Sequence, residues 1–287
     1  YAPYLAAETI QERKITDTLL VPTMVNMLVN MPGVENFDLS SMKAMAYGAS
    51  PMPEAVIRRA MEIIPDCDFY HAYGQTEAAP LATACPPYCH VFEGEYANMY
   101  RAAGLPAVGV EVKIVDEDDN ELPRGEVGEV AVRGPNIMLG YWQQPELSAE
   151  ALRGGWMHSG DGGYMDERGF VFIVDRMKDM VISGGENIYS AEVEDALYQH
   201  DAIVECAVIG IPDERWGEAV HAVVRLHDDM EASAEEIIAH CHKLIAGFKC
   251  PRGVDFVTEP LPLSGAGKIL KTELRKPYWE GKTKQVN

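Results

Sequence analysis

Hydrophobic residues in the first hundred positions alternate between two rhythms. "DTLLVP" (17 to 22) is a short apolar run that predicts a buried strand, and "TMVNMLVN" follows with helical spacing. "MKAMAYG" predicts a second strand, "PEAVIRRAMEII" an amphipathic helix with Pro53 near its start, and "CDFYHAYG" a third strand. Strand–helix alternation of this kind predicts α/β layering, with ligands expected at the carboxyl ends of the strands.

From 107 to 175 the rhythm changes. "VGVEVKIVD", "GEVGEVAVRG" and "GFVFIVD" are short β-rich runs spaced by Gly, Pro and acidic turns, as in a small barrel or sandwich. After "DRMKDMVISGGENIYS" it changes again. A helix (about 191 to 199) precedes two strands, "IVECAVIGI" and "EAVHAVVRL". A further helix is opened by Ser233 with Glu236 three residues later, the pattern of a capping box. The expected fold class is therefore α/β in three parts. An α/β subdomain spans 1–106, a small β-barrel-like subdomain 107–175, and a compact α+β domain 176–287. No internal repeat or low-complexity segment interrupts them.

Composition narrows the partners. A chain of 287 residues suits two domains, or one and a piece of another. Lys and Arg total 24 against 45 Asp and Glu, a formal charge of −21. That argues against general affinity for nucleic acid or anionic membranes. An anionic ligand must then be met by locally placed cations and backbone N–H groups. Six cysteines, at 67, 85, 89, 206, 241 and 250, include no paired C-x-x-C units, which fits reduced thiols in a cytoplasmic protein. Cys85, Cys89 and His90 form one imaginable metal cluster, and His240, Cys241 and His242 another. The second lies in a helical pattern that turns consecutive residues to different faces, and neither is read as a metal site. No signal peptide, lipidation motif or apolar run of transmembrane length occurs. The opening "YAPYLAAETIQERKI" lacks an initiator Met and reads like the interior of a larger protein.

Four stretches carry candidate chemistry. In "YHAYGQTEAAP", Tyr73, Gly74, Gln75, Thr76 and Glu77 follow a predicted strand. They offer an aromatic face, a close backbone approach, a hydroxyl and a carboxylate, parts suited to a base, a phosphate and Mg²⁺. An ordinary turn is the other reading. "YGASPMP" ends another strand with Gly48, Ala49 and Ser50, small enough for a flat ring to lie against the backbone. "GWMHSGDGGYMDERG" sets Asp161 between glycines after Trp156, which is expected to be buried. That Asp can accept two hydrogen bonds from a ribose diol, or cap a turn. Arg176 can reach the same ligand, or pair with a neighbouring acid.

The fourth stretch is "PLSGAGKILK", Pro262 to Lys271. A lysine behind two glycines suggests a phosphate-binding loop, but a Walker loop needs G-x-x-x-x-G-K followed by Ser or Thr. Pro262 stands five before Gly267, and Ile269 follows Lys268. Small residues at 264 to 267 still permit a tight turn that carries a cation to an anionic site. A solvated surface lysine remains the plainer reading.

Taken in order, "YGAS", "YGQTE", "GEVAVRGPNIMLGYW", "HSGD", "DRMKDMVISGGENIYSAEVE" and "PLSGAGKILK" resemble the adenylate-forming enzymes. That superfamily comprises acyl-CoA synthetases, peptide-synthetase adenylation domains and beetle luciferases. The resemblance covers nearly the whole chain, and "ISGGENIYSAEVE" looks most like the fatty-acyl- and aryl-CoA ligase branch. It implies that a carboxylic acid is joined to AMP with release of pyrophosphate, and that the acyl group then passes to CoA. It implies further that Gly48, Ala49, Ser50 and Tyr73 sandwich adenine beside Gly74 and Gln75, that Thr76 contacts phosphate, and that Glu77 helps place Mg²⁺. Asp161 and Arg176 would bind the ribose hydroxyls of ATP or AMP. Lys268 would bridge the carboxylate and α-phosphate, and Lys178 would be the hinge of a mobile C-terminal domain. Gly184 and Gly185 would line the pantetheine tunnel with Asn187 nearby, while Phe248 and Lys249 would meet the CoA nucleotide.

One departure is large. The superfamily's phosphate loop, of the form TSGTTGxPKG, matches no stretch here, so the chain resembles the rear half of such an enzyme. The isolated chain is then expected to form no acyl-adenylate. Two other readings stay open. One is a binding or interaction fragment without turnover. The other is an adenylation module that loads a carrier protein, against which no carrier sequence follows Lys268. The expected partners are a small carboxylic acid, ATP and CoA, with a homodimer left open. The small apolar run "AAPLATACPP" after Glu77 suits a medium or long fatty acid and an aryl-propenoic acid equally.

Overall fold

A computed structural model describes residues 1–50, 52–227, 229–265 and 268–281. The chain divides into two compact units, Tyr1–Ile173 and Val174–Asn287.

The first unit begins with α1 (Pro3–Arg13), β1 (Asp17–Leu20), α2 (Pro22–Val29), β2 (Ala44–Gly48), α3 (Glu54–Ile63) and β3 (Asp68–Tyr73). Proline in the first turn of α1 and α2 fits positions whose N–H groups have no helical partner. The strands β1, β2 and β3 pair in parallel, and β4 (Thr83–Cys85) and β5 (Leu105–Pro106) extend the sheet antiparallel. Val25 and Leu28 of α2 and Val56, Ile57 and Ala60 of α3 bury themselves against Met45, Tyr47 and Phe69 of the sheet. In the register of β2 with β3, Gly48 lies opposite Ala72, so the carboxyl ends of the two strands finish side by side.

The second sheet contains β6 (Glu111–Val115), β7 (Gly128–Arg133), β8 (Met157–Met165) and β9 (Val171–Arg176), in that order, with α4 (Pro145–Ala151) between β7 and β8. It is an open sheet; among the described residues it does not close on itself. The segment "HSGDGG", in which the sequence left Asp161 as a ribose acceptor or the cap of a turn, lies inside β8. Close packing explains one of its glycines, since a Cβ at Gly163 would sit 2.6 Å from Phe172 O on β9. Trp156 is only half-buried. The cations of Arg133 and Lys113 lie 4.3 and 4.8 Å from its ring and cover it, where apolar burial was expected.

The second unit holds β10 (Val181–Ser183), β11 (Glu186–Ile188), α5 (Ser190–Tyr198), β12 (Ile203–Asp213), β13 (Gly217–Leu226), α6 (Ala234–Leu244), β14 (Gly253–Phe256) and α7 (Lys271–Trp279). Its sheet runs β11-β10-β13-β12, with β14 parallel to β13. The two-residue alternation of β12 sorts its side chains. Cys206 and Val208 join the cluster containing Val193 and Leu197 of α5 and Ile237 and Cys241 of α6. Ala207 and Ile209 pack instead with Leu261, Ile269, Leu274 and Tyr278. Ser233 caps α6 by accepting from Glu236 N at 3.2 Å. The Glu236 carboxylate lies 4.0 Å from His200 Nε2, so the box expected there is realised as a cap.

All six cysteines are buried and unpaired, three in each unit. His90 meets the Tyr47 hydroxyl at 2.9 Å, Cys85 Sγ donates to Met99 O at 3.4 Å, and His240 Nε2 lies 3.1 Å from Ala196 O. Among the described residues, no helix is long and apolar enough to cross a membrane.

Candidate active site

In the first unit the candidate residues gather where β2 and β3 end. Gly48 closes β2, and a Cβ there would lie 2.1 Å from Ala72 O, so the approach of β3 demands glycine. Ala49 follows in the left-handed region at φ 73°, exposed, with Ser50 half-buried beside it. Beyond β3 the chain doubles back, with Ala82 N donating to Tyr73 O at 2.8 Å. The fold of this turn leaves no room at Gly74, where a Cβ would stand 1.9 Å from Pro80 O. Alanine at 74 is expected to cost about 1–3 kcal/mol of stability. The urea midpoint should fall at unchanged slope, and an unchanged midpoint would mean that the 80–82 segment gives way.

Tyr73 and Asp161 are 88 positions apart in sequence, yet the Tyr73 hydroxyl donates to Asp161 Oδ2 at 2.7 Å. Gln75 Nε2 donates to the same oxygen at 3.2 Å and to Ser159 O at 2.8 Å, while Asp161 N donates to Ser159 Oγ at 3.1 Å. Asp161 is 4% exposed, so its carboxylate is held by fixed donors rather than by water. Burial, and then the Asp161 charge, push the Tyr73 phenol above its ordinary pKa, which keeps it a neutral donor. An ionised carboxylate accepts only, so the cluster suits a ligand with hydroxyl donors.

Next along the chain, Thr76–Ala78 forms a single 3-10 turn with Thr76 exposed. The Tyr141 hydroxyl donates to Glu77 Oε1 at 2.8 Å, and Met138 N donates to Glu77 O at 2.8 Å. Asn136 Nδ2 donates to Ala78 O at 2.8 Å and Leu81 O at 2.9 Å. The loop after β7 therefore laces itself to the turn that carries Glu77. Burial, then Glu77, raise the Tyr141 phenol. Sequence reading passed over Tyr141, because nothing local links it to a residue 64 positions away.

The second unit carries the remaining candidates. Arg176 ends β9, and its O accepts from Asp179 N at 2.9 Å and Met180 N at 3.1 Å, closing a turn around Lys178. Gly184 and Gly185 form the two-residue connection between β10 and β11 with φ of 64° and 89°, a sign that favours glycine in tight hairpins. A Cβ at Gly184 would meet Trp216 Cε3 at 2.6 Å, and the guanidinium carbons of Arg215 and Arg252 lie 4.6 and 4.8 Å from that ring. Asn187 is exposed on β11, and Phe248 is exposed as well. Lys249 Nζ donates to both carboxylate oxygens of Glu192 at 2.7 Å and lies 5.8 Å from the Phe248 ring centre. Lys268 is exposed. Its N donates to Ser264 Oγ at 3.2 Å, and Ser264 N donates to Lys268 O at 2.7 Å. Ala266 and Gly267, in the small-residue run expected to form this turn, lie outside the described residues. A bridge between Leu263 and Ile269 ties its two sides together.

A family profile described as AMP-binding enzyme matches residues 2–142, and one described as AMP-binding enzyme C-terminal domain matches residues 192–268. The chain belongs to the AMP-binding enzymes. It is 39% identical over 287 residues to a fatty acid–[acyl-carrier-protein] ligase, ScoC, of Streptomyces coeruleorubidus, covering 100% of this chain and 54% of that protein. It is 40% identical over 278 residues to a feruloyl-CoA synthase of an Amycolatopsis species, covering 97% of this chain and 55% of that one. The structure of an amide bond synthetase, McbA, from Marinactinospora thermotolerans matches 97% of this chain and 55% of its own, with a TM-score of 0.88 and 34% identity. The chain thus spans about half the length of the relatives it matches.

Proposed function

We propose that the complete protein is an AMP-forming acid–thiol ligase. It activates a carboxylic acid with ATP to an acyl-adenylate and pyrophosphate, then transfers the acyl group to CoA. The observation that carries this reading is the cluster in which Tyr73 and Gln75 hold the Asp161 carboxylate, beside Thr76 and Glu77 at the strand ends of an AMP-binding fold. In this reading Gly48, Ala49, Ser50, Tyr73, Gly74 and Gln75 receive the adenine. Asp161 accepts from the ribose hydroxyls and Arg176 donates to them. Thr76 donates to phosphate. Glu77, a carboxylate beside a hydroxyl, fits Mg²⁺, a hard cation that takes oxygen ligands and is met by few carboxylates together with substrate phosphates. Bound there, the ion would supply charge neutralisation to the phosphates.

The acid and the α-phosphate are both anionic, and their repulsion must be offset before they react. Lys268, an exposed ammonium on a closed turn, is suited to sit between them. The parts proposed are an α/β portion over 1–106, a β-rich portion over 107–175 and a mobile portion over 176–287 hinged at Lys178. In this last portion Gly184, Gly185 and Asn187 border the thiol's path, and Phe248 and Lys249 meet the CoA nucleotide. The acid proposed is a medium or long fatty acid or an aryl-propenoic acid. Loading of a carrier protein is the second reading, favoured by the name of the Streptomyces relative. Six buried, unpaired thiols support a reducing, cytoplasmic setting.

The test is pyrophosphate release by the complete protein with a panel of acids, followed by acyl transfer to free CoA and to a carrier protein. No release with any acid would overturn the proposal. The hinge has its own test in Lys178→Pro. Proline fixes φ near −65° and restricts Met177 before it. The expected result is surviving adenylation with a steep fall in acyl transfer, read by single-turnover kinetics of each step. Equal slowing of both would remove Lys178 from the hinge.

A further inference from the structure

One face of α7 grips two places in succession, α5 at its start and then the turn that follows β9. Lys271 Nζ donates to Glu194 Oε1 at 2.7 Å and to Ser190 Oγ at 2.5 Å, and Ser190 Oγ donates to Asp175 Oδ2 at 2.6 Å. Four residues on, Arg275 Nη1 donates to Lys178 O at 2.9 Å and lies 3.3 Å from Asp179 Oδ1, while Nη2 donates to Asp179 O at 3.1 Å. Both side chains of the Arg275–Asp179 pair are 15% exposed. The two main-chain carbonyls held by Arg275 are those whose direction changes when the backbone rotates at Lys178 and Asp179. Arg275 Nε, by contrast, is buried with no hydrogen-bond partner among the described residues. A buried donor without an acceptor disfavours the arrangement that contains it, so this grip is set against an opposing cost.

We propose that Arg275 is a positioning residue for the hinge, its guanidinium fixing the direction of the Lys178 and Asp179 carbonyls and coupling them to the turn that bears Lys268. The coupling is short. Ile269 bridges Leu263, Leu270 N donates to Pro262 O at 2.8 Å, and α7 begins at the next residue. The base of the turn therefore runs directly into the helix that carries Arg275. The inference rests on the hinge and Lys268 roles proposed above and adds a residue to them.

The variants are Arg275→Lys, which keeps the charge but cannot reproduce a planar fork on two carbonyls, and Asp179→Asn, which loosens the same grip from the other side. Hydrogen exchange in the complete protein reads the grip directly. Both variants should speed exchange at the amides of Asp179 and Met180 about tenfold, a change of about 1.4 kcal/mol in local opening. Single-turnover kinetics reads the consequence. The ratio of adenylate formation to acyl transfer should shift by about tenfold, the same energy expressed as a rate ratio. Unchanged exchange overturns the proposal, and so does faster exchange with both steps slowed by one common factor. If the unsubstituted protein forms no adenylate, the ligase reading falls, and the exchange result alone decides whether Arg275 holds the hinge.

Discussion

Lys268→Ala in the complete protein is expected to slow acyl-adenylate formation by about 10²-fold or more, the scale of a lost electrostatic contact to developing charge. The reason lies in what the step must overcome, since a carboxylate attacks a phosphate and each approaches as an anion. A cation placed between them lowers that repulsion where the bond forms, and the charge of the chain overall is strongly negative. Acyl transfer from a supplied adenylate starts after that repulsion has gone, so it should survive the substitution. Measuring the two half-reactions separately decides the matter. Equal loss in both would make Lys268 structural, and loss in neither would leave its turn a surface feature.

A comparably large effect, on stability, is expected at Lys271. Burial works against its charge, yet Glu194 and Asp175 outweigh the burial and hold the ammonium pKa above its usual value. Burial also raises the Glu194 carboxyl, partly countered by Lys271 and by the bond from Val208 N at 2.7 Å. Lys271→Met leaves Glu194 buried without its counter-charge and should cost about 3–5 kcal/mol. The sign with pH follows. A carboxyl whose folded pKa is raised binds its proton more tightly in the folded state, so stability falls as pH rises through the range between its unfolded and folded values. The penalty of Lys271→Met should therefore be smaller in mildly acidic buffer than in mildly alkaline buffer. Adding Glu194→Gln should recover part of the loss, and urea unfolding of the four proteins of this cycle measures it. Additive losses with no pH dependence would mean that the pair is not coupled.

Much of the layering was legible because periodicity carries it. The strands ending at Gly48 and Tyr73 and the helix of Glu54–Ile63 read correctly, since each buries one face against the same core. β8 did not. Its glycines signal a turn locally, but at Gly163 the close passage of β9 asks for the absence of a side chain, and that neighbour is invisible along the chain. α7 was missed for a related reason. It carries Pro277 within a mostly polar stretch, and what holds it is the Lys271 and Arg275 contacts to residues about 80 to 97 positions earlier. The candidate site followed the same division. Tyr73, Gln75 and Asp161 were joined in advance only by resemblance to a family, and their hydrogen bonds by the fold. Tyr141 sat inside a motif that carried the resemblance, but only the fold brought it to Glu77.

The six cysteines carry a practical consequence. Burial raises Cys67 and Cys241 to about 11, and raises Cys85 and Cys206 as well, so at neutral pH these thiols are both shielded and protonated. A thiol reagent reaches them only when the surrounding structure opens. Because three lie on each side of residue 173, with Cys67, Cys85 and Cys89 before it and Cys206, Cys241 and Cys250 after, the chain contains a separate opening clock for each of its compact units. Peptide-resolved alkylation would read the two clocks without any introduced label.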